Sequence, residues 1–221
     1  MFKRAILTVC FAGVYAAGVC LAAEEPKGAG VTPEQALARL KAGNERYRTS
    51  HVVHPHESAE WRHSLSKEQH PFATILSCSD SRVPPELLFD AGLGDLFVIR
   101  VAGNIASDDV LGSIEYAAEH LGTSLVLVMG HERCGAVQAT IGGGEPRTHI
   151  ESLTRAIDPA VARARKEKGD LVANAVRLNV ELVVSQIRAS RPIVAELVEK
   201  GKLQVVGAVY DLDTGIVKLL P

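Results

Sequence analysis

Two short stretches of the sequence place possible metal ligands directly after apolar runs. Cys78-Ser79-Asp80-Ser81-Arg82 follows the run 72–76, and Gly130-His131-Glu132-Arg133-Cys134 follows the run 125–129. Two thiolates and an imidazole suit zinc, although cobalt or iron would fit them too. Three protein ligands leave a fourth position open for water or a substrate, as in catalytic zinc sites. The sequence therefore predicts a zinc site that joins Cys78, His131 and Cys134.

The residues after Cys78 supply a charged pair beside this predicted site. In extended backbone alternate side chains share a face, so Asp80 and Arg82 can converge with Cys78, and an arginine can clamp a carboxylate through two hydrogen bonds. Asp80 would then accept a hydrogen bond from metal-bound water, or it would become a fourth ligand and close the site. The alternative is an ordinary ion pair that fixes a loop. Zinc makes its bound water acidic enough to give hydroxide near neutral pH, so the residues point to a zinc hydroxide that attacks a small electrophile.

The pattern of the chain places both ligand groups at one edge of a sheet. Apolar runs alternate with segments of helical periodicity, which is typical of an α/β fold. We expect a central, mainly parallel sheet of four parallel strands and one antiparallel edge strand, flanked by helices, with an N-terminal helical arm. Sites in open sheets of this kind form at the carboxyl ends of strands. The predicted strands are 72–77, 96–101, 124–129, 204–210 and 216–219, and the longer predicted helices begin near 32, 108, 150 and 170.

The N-terminal residues are predicted to be an export signal. Lys3 and Arg4 precede an apolar run that ends on small residues near 23, so we assign 1–23 to a signal peptide, 24–31 to a linker and 32–221 to one domain. An uncleaved membrane anchor, or a lipoprotein modified at Cys20, is the alternative. We expect an exported protein of the bacterial periplasm without a stable membrane anchor. A net charge of −2 and the absence of a basic block exclude nucleic acid as a partner.

Removal of the signal would leave two cysteines, which has more than one interpretation. In an exported protein they could form a disulfide, but His131 beside Cys134 favours a shared metal. Either cysteine could also be a nucleophile activated by His131. Five further histidines fall in the polar segment 51–70, where a solvated loop with a short helix is a simpler explanation than a second metal site. These are His51, His54, His56, His63 and His70.

Taken together, these motifs resemble those of the β-class carbonic anhydrases over nearly all of the predicted mature chain. The resemblance rests on Cys78-Ser79-Asp80-Ser81-Arg82, on the segment 130–135, and on Arg100-Val101-Ala102-Gly103-Asn104 between them. It implies one zinc ion per subunit, held by Cys78, His131 and Cys134. It also implies a catalytic dyad of Asp80 and Arg82, and reversible hydration of carbon dioxide to bicarbonate and a proton.

The resemblance further implies a substrate pocket and self-association. Gln69, Phe97 and Tyr116 occupy the positions of the family's pocket residues. The family's site lies at a dimer interface, with the N-terminal helix reaching across to the partner, so a dimer or tetramer is expected. Two other functions stay open on the sequence alone. One is hydrolysis of carbonyl sulfide or carbon disulfide on the same fold, and the other is a non-catalytic zinc-binding module.

Overall fold

The computed structural model describes residues 30–143 and 148–221. Within these residues the chain forms five strands and eight α-helices. The strands are β1 (Ala73–Ser77), β2 (Leu96–Arg100), β3 (Leu125–His131), β4 (Gln204–Tyr210) and β5 (Val217–Leu219). The helices are α1 (Pro33–Arg48), α2 (Ala59–Ser64), α3 (Pro85–Leu88), α4 (Asp108–Glu119), α5 (Gly135–Gly142), α6 (Ile150–Ala164), α7 (Leu171–Ala189) and α8 (Ile193–Glu199).

The strands form one sheet in the order β2-β1-β3-β4-β5. The first four run parallel, and β5 is antiparallel to β4. The predicted fold class is therefore confirmed. Strands β1 and β3 are direct neighbours, with Ser77 opposite Met129. Because parallel strands end at the same edge of a sheet, the residues that follow β1 emerge beside the end of β3.

Strand β3 is longer than the sequence predicted. It continues through Gly130 and His131, which pair with Val209 and Tyr210 of β4. The prediction that β3 ends at Met129 was wrong because β4 extends far enough to pair with two more residues. His131 is consequently the last residue of a strand, and its backbone direction is set by the sheet.

Both faces of the sheet are covered by helices, which explains why every residue of β1 and β3 is buried. Alternate residues of β3 point to opposite faces. Leu127 packs in a cluster with residues of α1, α5 and α6, whereas Val128 packs with residues of α4, α7 and α8. Helix α7 also approaches the end of β3 closely, since a Cβ on Gly130 would lie 2.6 Å from Val180 Cγ2. Each fully buried aliphatic side chain stabilises the folded chain by about 1.5–3 kcal/mol. The packed sheet is therefore a rigid support for the residues at its carboxyl edge.

The N-terminal helical arm packs on its own chain. Helix α1 starts with the predicted capping box of Thr32 and Gln35. The side chain of Asn44 is buried and donates hydrogen bonds to the carbonyl oxygens of Leu88, at 3.1 Å, and Gly215, at 2.9 Å. These contacts tie α1 to α3 and to the turn between β4 and β5, so they account for the position of the helix within one chain.

The predicted signal peptide 1–23, together with linker residues 24–29, lies outside the described residues. Of the predicted linker, Val31 is buried and its carbonyl oxygen accepts a hydrogen bond from Ser124 Oγ at 2.6 Å. The packed part of the chain therefore includes Val31. In the part of the chain that the structure describes, no helix combines the length and the apolar character needed to cross a membrane.

Candidate metal centre

The three predicted metal ligands come together at the carboxyl edge of the sheet. Cys78 directly follows β1, His131 ends β3, and Cys134 is the N-cap of α5. Their ligand atoms all lie within 4.8 Å of one another, and all three residues are buried. Convergence of this kind requires β1 and β3 to be neighbours, which is the sheet order that the structure has.

The imidazole of His131 is oriented for a ligand that is not part of the chain. Its Nδ1 donates a hydrogen bond to the carbonyl oxygen of Glu132 at 2.8 Å, and this leaves Nε2 as the unprotonated nitrogen. Nε2 is buried and has no hydrogen-bond partner among the described residues. A buried polar atom without a partner is costly. A metal ion on Nε2 would remove that cost, and the hydrogen bond from Nδ1 fixes the tautomer as in other histidine–metal sites.

The two cysteines are free thiols, so the disulfide interpretation is wrong for this structure. Hydrogen bonding from Cys134 lowers the pKa of the Cys78 thiol to about 4, against the opposing effect of burial. The same pairing, together with burial, raises the pKa of Cys134 well above its usual range. The two thiols therefore interact directly, and their pKa values shift in opposite directions. A divalent cation is the natural group to hold both sulfur atoms as thiolates.

Asp80 and Arg82 form the predicted bidentate pair at the edge of this cluster. Arg82 Nε donates to Asp80 Oδ1 at 2.9 Å, and Arg82 Nη2 donates to Oδ2 at 2.8 Å. These bonds hold the pKa of the Asp80 carboxyl well below its usual range, although partial burial opposes them. Asp80 Oδ2 lies 3.8 Å from His131 Nε2. An ionised carboxylate is therefore directed at the place that a metal on Nε2 would occupy.

Arg100 supports the loop that carries Cys78 and Asp80, a role that the sequence did not assign. Its Nε donates to the carbonyl oxygen of Cys78 at 3.1 Å, and its Nη2 donates to that of Asp80 at 2.6 Å. Arg100 is a charged residue at the end of an otherwise apolar strand, and its partners are main-chain atoms, which have no signature in the sequence.

The segment that links His131 to Cys134 is held at several points. The amide of Glu132 donates to the carbonyl oxygen of Tyr210 at 3.0 Å. Arg133 has a positive φ of 51°, and its guanidinium donates to both carboxylate oxygens of Asp213 at 2.9 Å. The strained backbone at Arg133 turns the chain sharply, so that Cys134 returns toward Cys78 at the start of α5.

Gln69, Phe97 and Tyr116 lie at the opposite edge of the sheet. Gln69 precedes β1, Phe97 is the second residue of β2, and Tyr116 is near the end of α4, which runs back toward that edge. Gln69 and Tyr116 line one cavity of about 730 Å³, and the rings of Phe97 and Tyr116 are 6.2 Å apart. The five residues of β1, about 16 Å in length, separate this group from Cys78. Within one chain the structure does not bring the predicted pocket residues to the metal ligands.

The histidine-rich segment does not assemble a second metal site. In the ranges 30–143 and 148–221, the only other cluster of possible ligands is Glu132, Asp211 and Asp213. Asp213 is bound to Arg133, and Asp211 Oδ1 accepts the backbone N–H of Asp213 and of Thr214, so this cluster stabilises the β4–β5 turn. Three of these histidines, His54, His56 and His70, make local contacts instead. His56, for example, stacks on Trp61 with 4.0 Å between the ring centroids.

A family model described as carbonic anhydrase matches residues 73–217. Carbonic anhydrase 2 of Mycobacterium tuberculosis is 37% identical over 187 residues, which are 83% of this chain and 90% of the relative. The carbonic anhydrase of Mycolicibacterium smegmatis is 37% identical over 191 residues, which are 85% of this chain and 93% of the relative.

Solved structures give the same result. A Coccomyxa β-carbonic anhydrase in complex with acetazolamide has a TM-score of 0.64 and 29% identity, covering 85% of this chain and 82% of its own. The β-carbonic anhydrase CcaA has a TM-score of 0.64 and 28% identity, covering 82% of this chain and 86% of its own. The chain therefore belongs to the β class of the carbonic anhydrase family, and it is an enzyme of that family.

Proposed function

We propose that the chain catalyses the zinc-dependent reversible hydration of carbon dioxide to bicarbonate and a proton. Family membership supports the activity. The observation that carries the assignment to this site is the buried cluster of Cys78, His131 and Cys134, in which His131 Nε2 has no hydrogen-bond partner among the described residues. These residues would hold one zinc ion per subunit. When bound, zinc supplies the Lewis acidity that makes water nucleophilic near neutral pH.

Asp80 would act as the acceptor that orients the reacting water. A carboxylate with a lowered pKa stays ionised throughout the working pH range, so it can accept a hydrogen bond at all times. Both of its oxygens are already bound by Arg82. This clamp supports an open state in which Arg82 keeps Asp80 from becoming the fourth ligand. Arg100 would maintain the same geometry by donating hydrogen bonds to the carbonyl oxygens of Cys78 and Asp80.

We further propose that the substrate pocket is completed by a second copy of the chain. Strand β2 is at the end of the described sheet and pairs only with β1, so its outer edge is free to pair with another strand. Its residues Leu96–Ile99 are apolar and only half-buried. An exposed apolar edge of this kind is a template for pairing between copies.

Antiparallel pairing of two β2 strands about a two-fold axis would bring the carboxyl edge of one sheet beside the amino edge of the other. In such a dimer the amino end of β2 in one copy lies beside the carboxyl end of β2 in the other. Gln69, Phe97 and Tyr116 of the second copy would then approach the cluster at Cys78. This arrangement supports the predicted roles of the three residues, although they are far from Cys78 in their own chain. Sedimentation would separate monomer, dimer and tetramer.

Export to the periplasm is also proposed, on the basis of Lys3, Arg4 and the apolar run that follows them. Cell fractionation with N-terminal sequencing of the mature protein tests this. A cytoplasmic protein with an intact N-terminus would contradict it.

The decisive experiment for the activity is stopped-flow carbon dioxide hydration, with zinc quantified on the same purified protein. We expect about one zinc per chain and hydration that is inhibited by acetazolamide, the compound bound to the Coccomyxa β-carbonic anhydrase. Carbonyl sulfide and carbon disulfide serve as alternative substrates in parallel assays. Stoichiometric zinc without hydration of carbon dioxide would overturn the proposal. Release of sulfide instead would indicate hydrolysis of carbonyl sulfide or carbon disulfide.

A further inference from the structure

Helix α7 carries a polar side chain in an apolar environment. Asn179 is 1% exposed, and its neighbours along the helix, Val176, Val180 and Val183, belong to the hydrophobic core. Burial of an amide group is unfavourable unless it forms hydrogen bonds. Asn179 Nδ2 donates to the carbonyl oxygen of Gly103 at 2.8 Å, and Oδ1 has no partner among the described residues. Asn179 therefore forms one directed hydrogen bond from within the hydrophobic core.

Gly103 connects that hydrogen bond to the metal ligands. Its backbone N–H donates to Cys78 Sγ at 3.3 Å, while its carbonyl oxygen is held by Asn179. Gly103 has a φ of +75°, and a Cβ at this position would lie 2.6 Å from Ile157 Cδ1. A glycine has wide conformational freedom, so the direction of its N–H depends on external contacts. Asn179 is the side chain that provides such a contact.

The two cysteines differ in the source of their backbone donors. Cys134 is the N-cap of α5, and the backbone amides of Ala136 and Val137, the second and third residues of that helix, lower the pKa of its thiol. Cys78 accepts the N–H of Gly103, which is 25 residues away, and the backbone of nearby Asp80 also lowers its pKa. Donors in a helix are fixed by the helix itself. The Gly103 donor needs support from elsewhere in the fold.

We propose that Asn179 is a positioning residue that holds Gly103 so that its N–H donates to the Cys78 sulfur. This inference rests on the proposed function, in which Cys78 is a zinc ligand. A hydrogen bond to a thiolate withdraws charge from the sulfur and tunes the bound metal. Loss of that bond would leave more charge on Cys78, and zinc would then be a weaker Lewis acid.

The test compares Asn179→Leu with the matched control Asn174→Leu. Leucine has a similar volume but no donor. Asn174 is also on α7 and also donates to a main-chain carbonyl, that of Lys168 at 3.1 Å, but it is only half-buried and not connected to the cluster. In the cobalt-substituted protein we expect Asn179→Leu to shift the thiolate-to-cobalt charge-transfer bands. We also expect it to move the midpoint of the pH profile of kcat/KM upward, because zinc is then a weaker Lewis acid. The control should change none of these.

A direct measurement on the wild-type protein complements the variants. With ¹¹³Cd in the site and ¹⁵N-labelled glycine, the Gly103 amide proton should show scalar coupling to the metal through the N–H···S hydrogen bond. We expect this coupling in the wild type and its loss in Asn179→Leu. Should Asn179→Leu not fold, Asn179→Ser, whose side chain is too short to reach Gly103, takes its place.

Several outcomes would overturn the inference. They are a wild type without the coupling, a folded variant that keeps the coupling and the cobalt spectrum, and failure of both variants to fold, which would assign Asn179 to folding alone. These outcomes are distinct from failure of the proposed function. A wild type that neither binds zinc nor hydrates carbon dioxide refutes the function, whereas an active wild type with an unaffected variant refutes only the role of Asn179.

Discussion

The two edges of the sheet differ in how completely one chain builds them. At the carboxyl edge, the ligand atoms of Cys78, His131 and Cys134 are buried and converge within 4.8 Å. At the amino edge, Gln69 is exposed and Tyr116 is 48% exposed on an open cavity. A metal site needs several donors with fixed directions, and the hydrogen bonds of one fold can supply them. A pocket for a small neutral substrate needs a wall, and a second copy of the chain can provide one.

The largest effect is expected from a ligand at the carboxyl edge. His131→Ala removes the buried Nε2, which has no hydrogen-bond partner among the described residues. We expect loss of zinc and a fall in carbon dioxide hydration of roughly 1000-fold or more, since zinc contributes several kcal/mol of transition-state stabilisation. Metal analysis and stopped-flow kinetics measure both quantities. His63→Ala, an exposed histidine of α2, is the control and should behave as wild type. Full zinc content in His131→Ala would contradict the assignment of the ligands.

The second-largest effect is expected from the charged pair beside the metal ligands, Asp80 and Arg82. Asp80→Asn keeps the size of the side chain but removes the carboxylate. We expect hydration to fall about 100-fold, which is the lower range for a positioned acid–base group, with zinc content unchanged. Asp158→Asn, on the exposed face of α6, is the matched control. Unchanged activity in Asp80→Asn would show that Asp80 only fixes a loop.

The pH dependence adds a second check on this pair. Arg82 keeps the pKa of Asp80 well below its usual range, so the wild type should show no loss of activity from protonation of Asp80 down to mildly acidic pH. A carboxyl whose folded pKa is lowered loses its stabilising charge only when the pH falls through that low value. Arg82→Gln removes the largest cause of the shift and should bring an acidic limb into the profile.

A third prediction addresses whether the amino edge acts across subunits. Gln69→Ala should lower activity about 10-fold, because a lost polar contact costs on the order of 1–2 kcal/mol. If the pocket comes from the second copy, mixing Gln69→Ala chains with inactive His131→Ala chains creates hybrids with one intact site. Activity of the mixture should then exceed the sum of the separate variants. No gain on mixing, with hybrids verified by mass spectrometry, would place Gln69 and the metal site in the same chain or remove Gln69 from catalysis.

The sequence predicted the carboxyl edge well because its signals are local. Apolar runs that stop at Cys78 and at Gly130 indicated neighbouring strand ends, and the spacing of Asp80 and Arg82 indicated a bidentate pair. Each of these inferences needs only a few consecutive residues. The class of fold followed from the alternation of strands and helices.

The supports of that edge could not be predicted, because they depend on contacts between distant residues. Asn179 reaches a carbonyl oxygen 76 positions away along the chain. Arg100 binds main-chain atoms, and the last two residues of β3 are ordered by β4. The relation between Gln69 and the metal site is harder still, since in the proposed dimer it involves two chains. The pocket residues were assigned from the resemblance to a family and not from the pattern of residues.

The smallest effect is expected from the exposed part of the carboxyl edge itself. Arg133 and Asp213 form a bidentate pair beside Cys134, but their side chains are 51% and 72% exposed. Exposed ion pairs contribute little, so Asp213→Asn should leave the free energy of unfolding nearly unchanged and change hydration by no more than about 2-fold. Chemical denaturation and stopped-flow kinetics measure these. A much larger loss of activity would mean that the Cys134 loop depends on its surface pair. The difference between the two edges of the sheet would then depend on surface ion pairs as well as on burial.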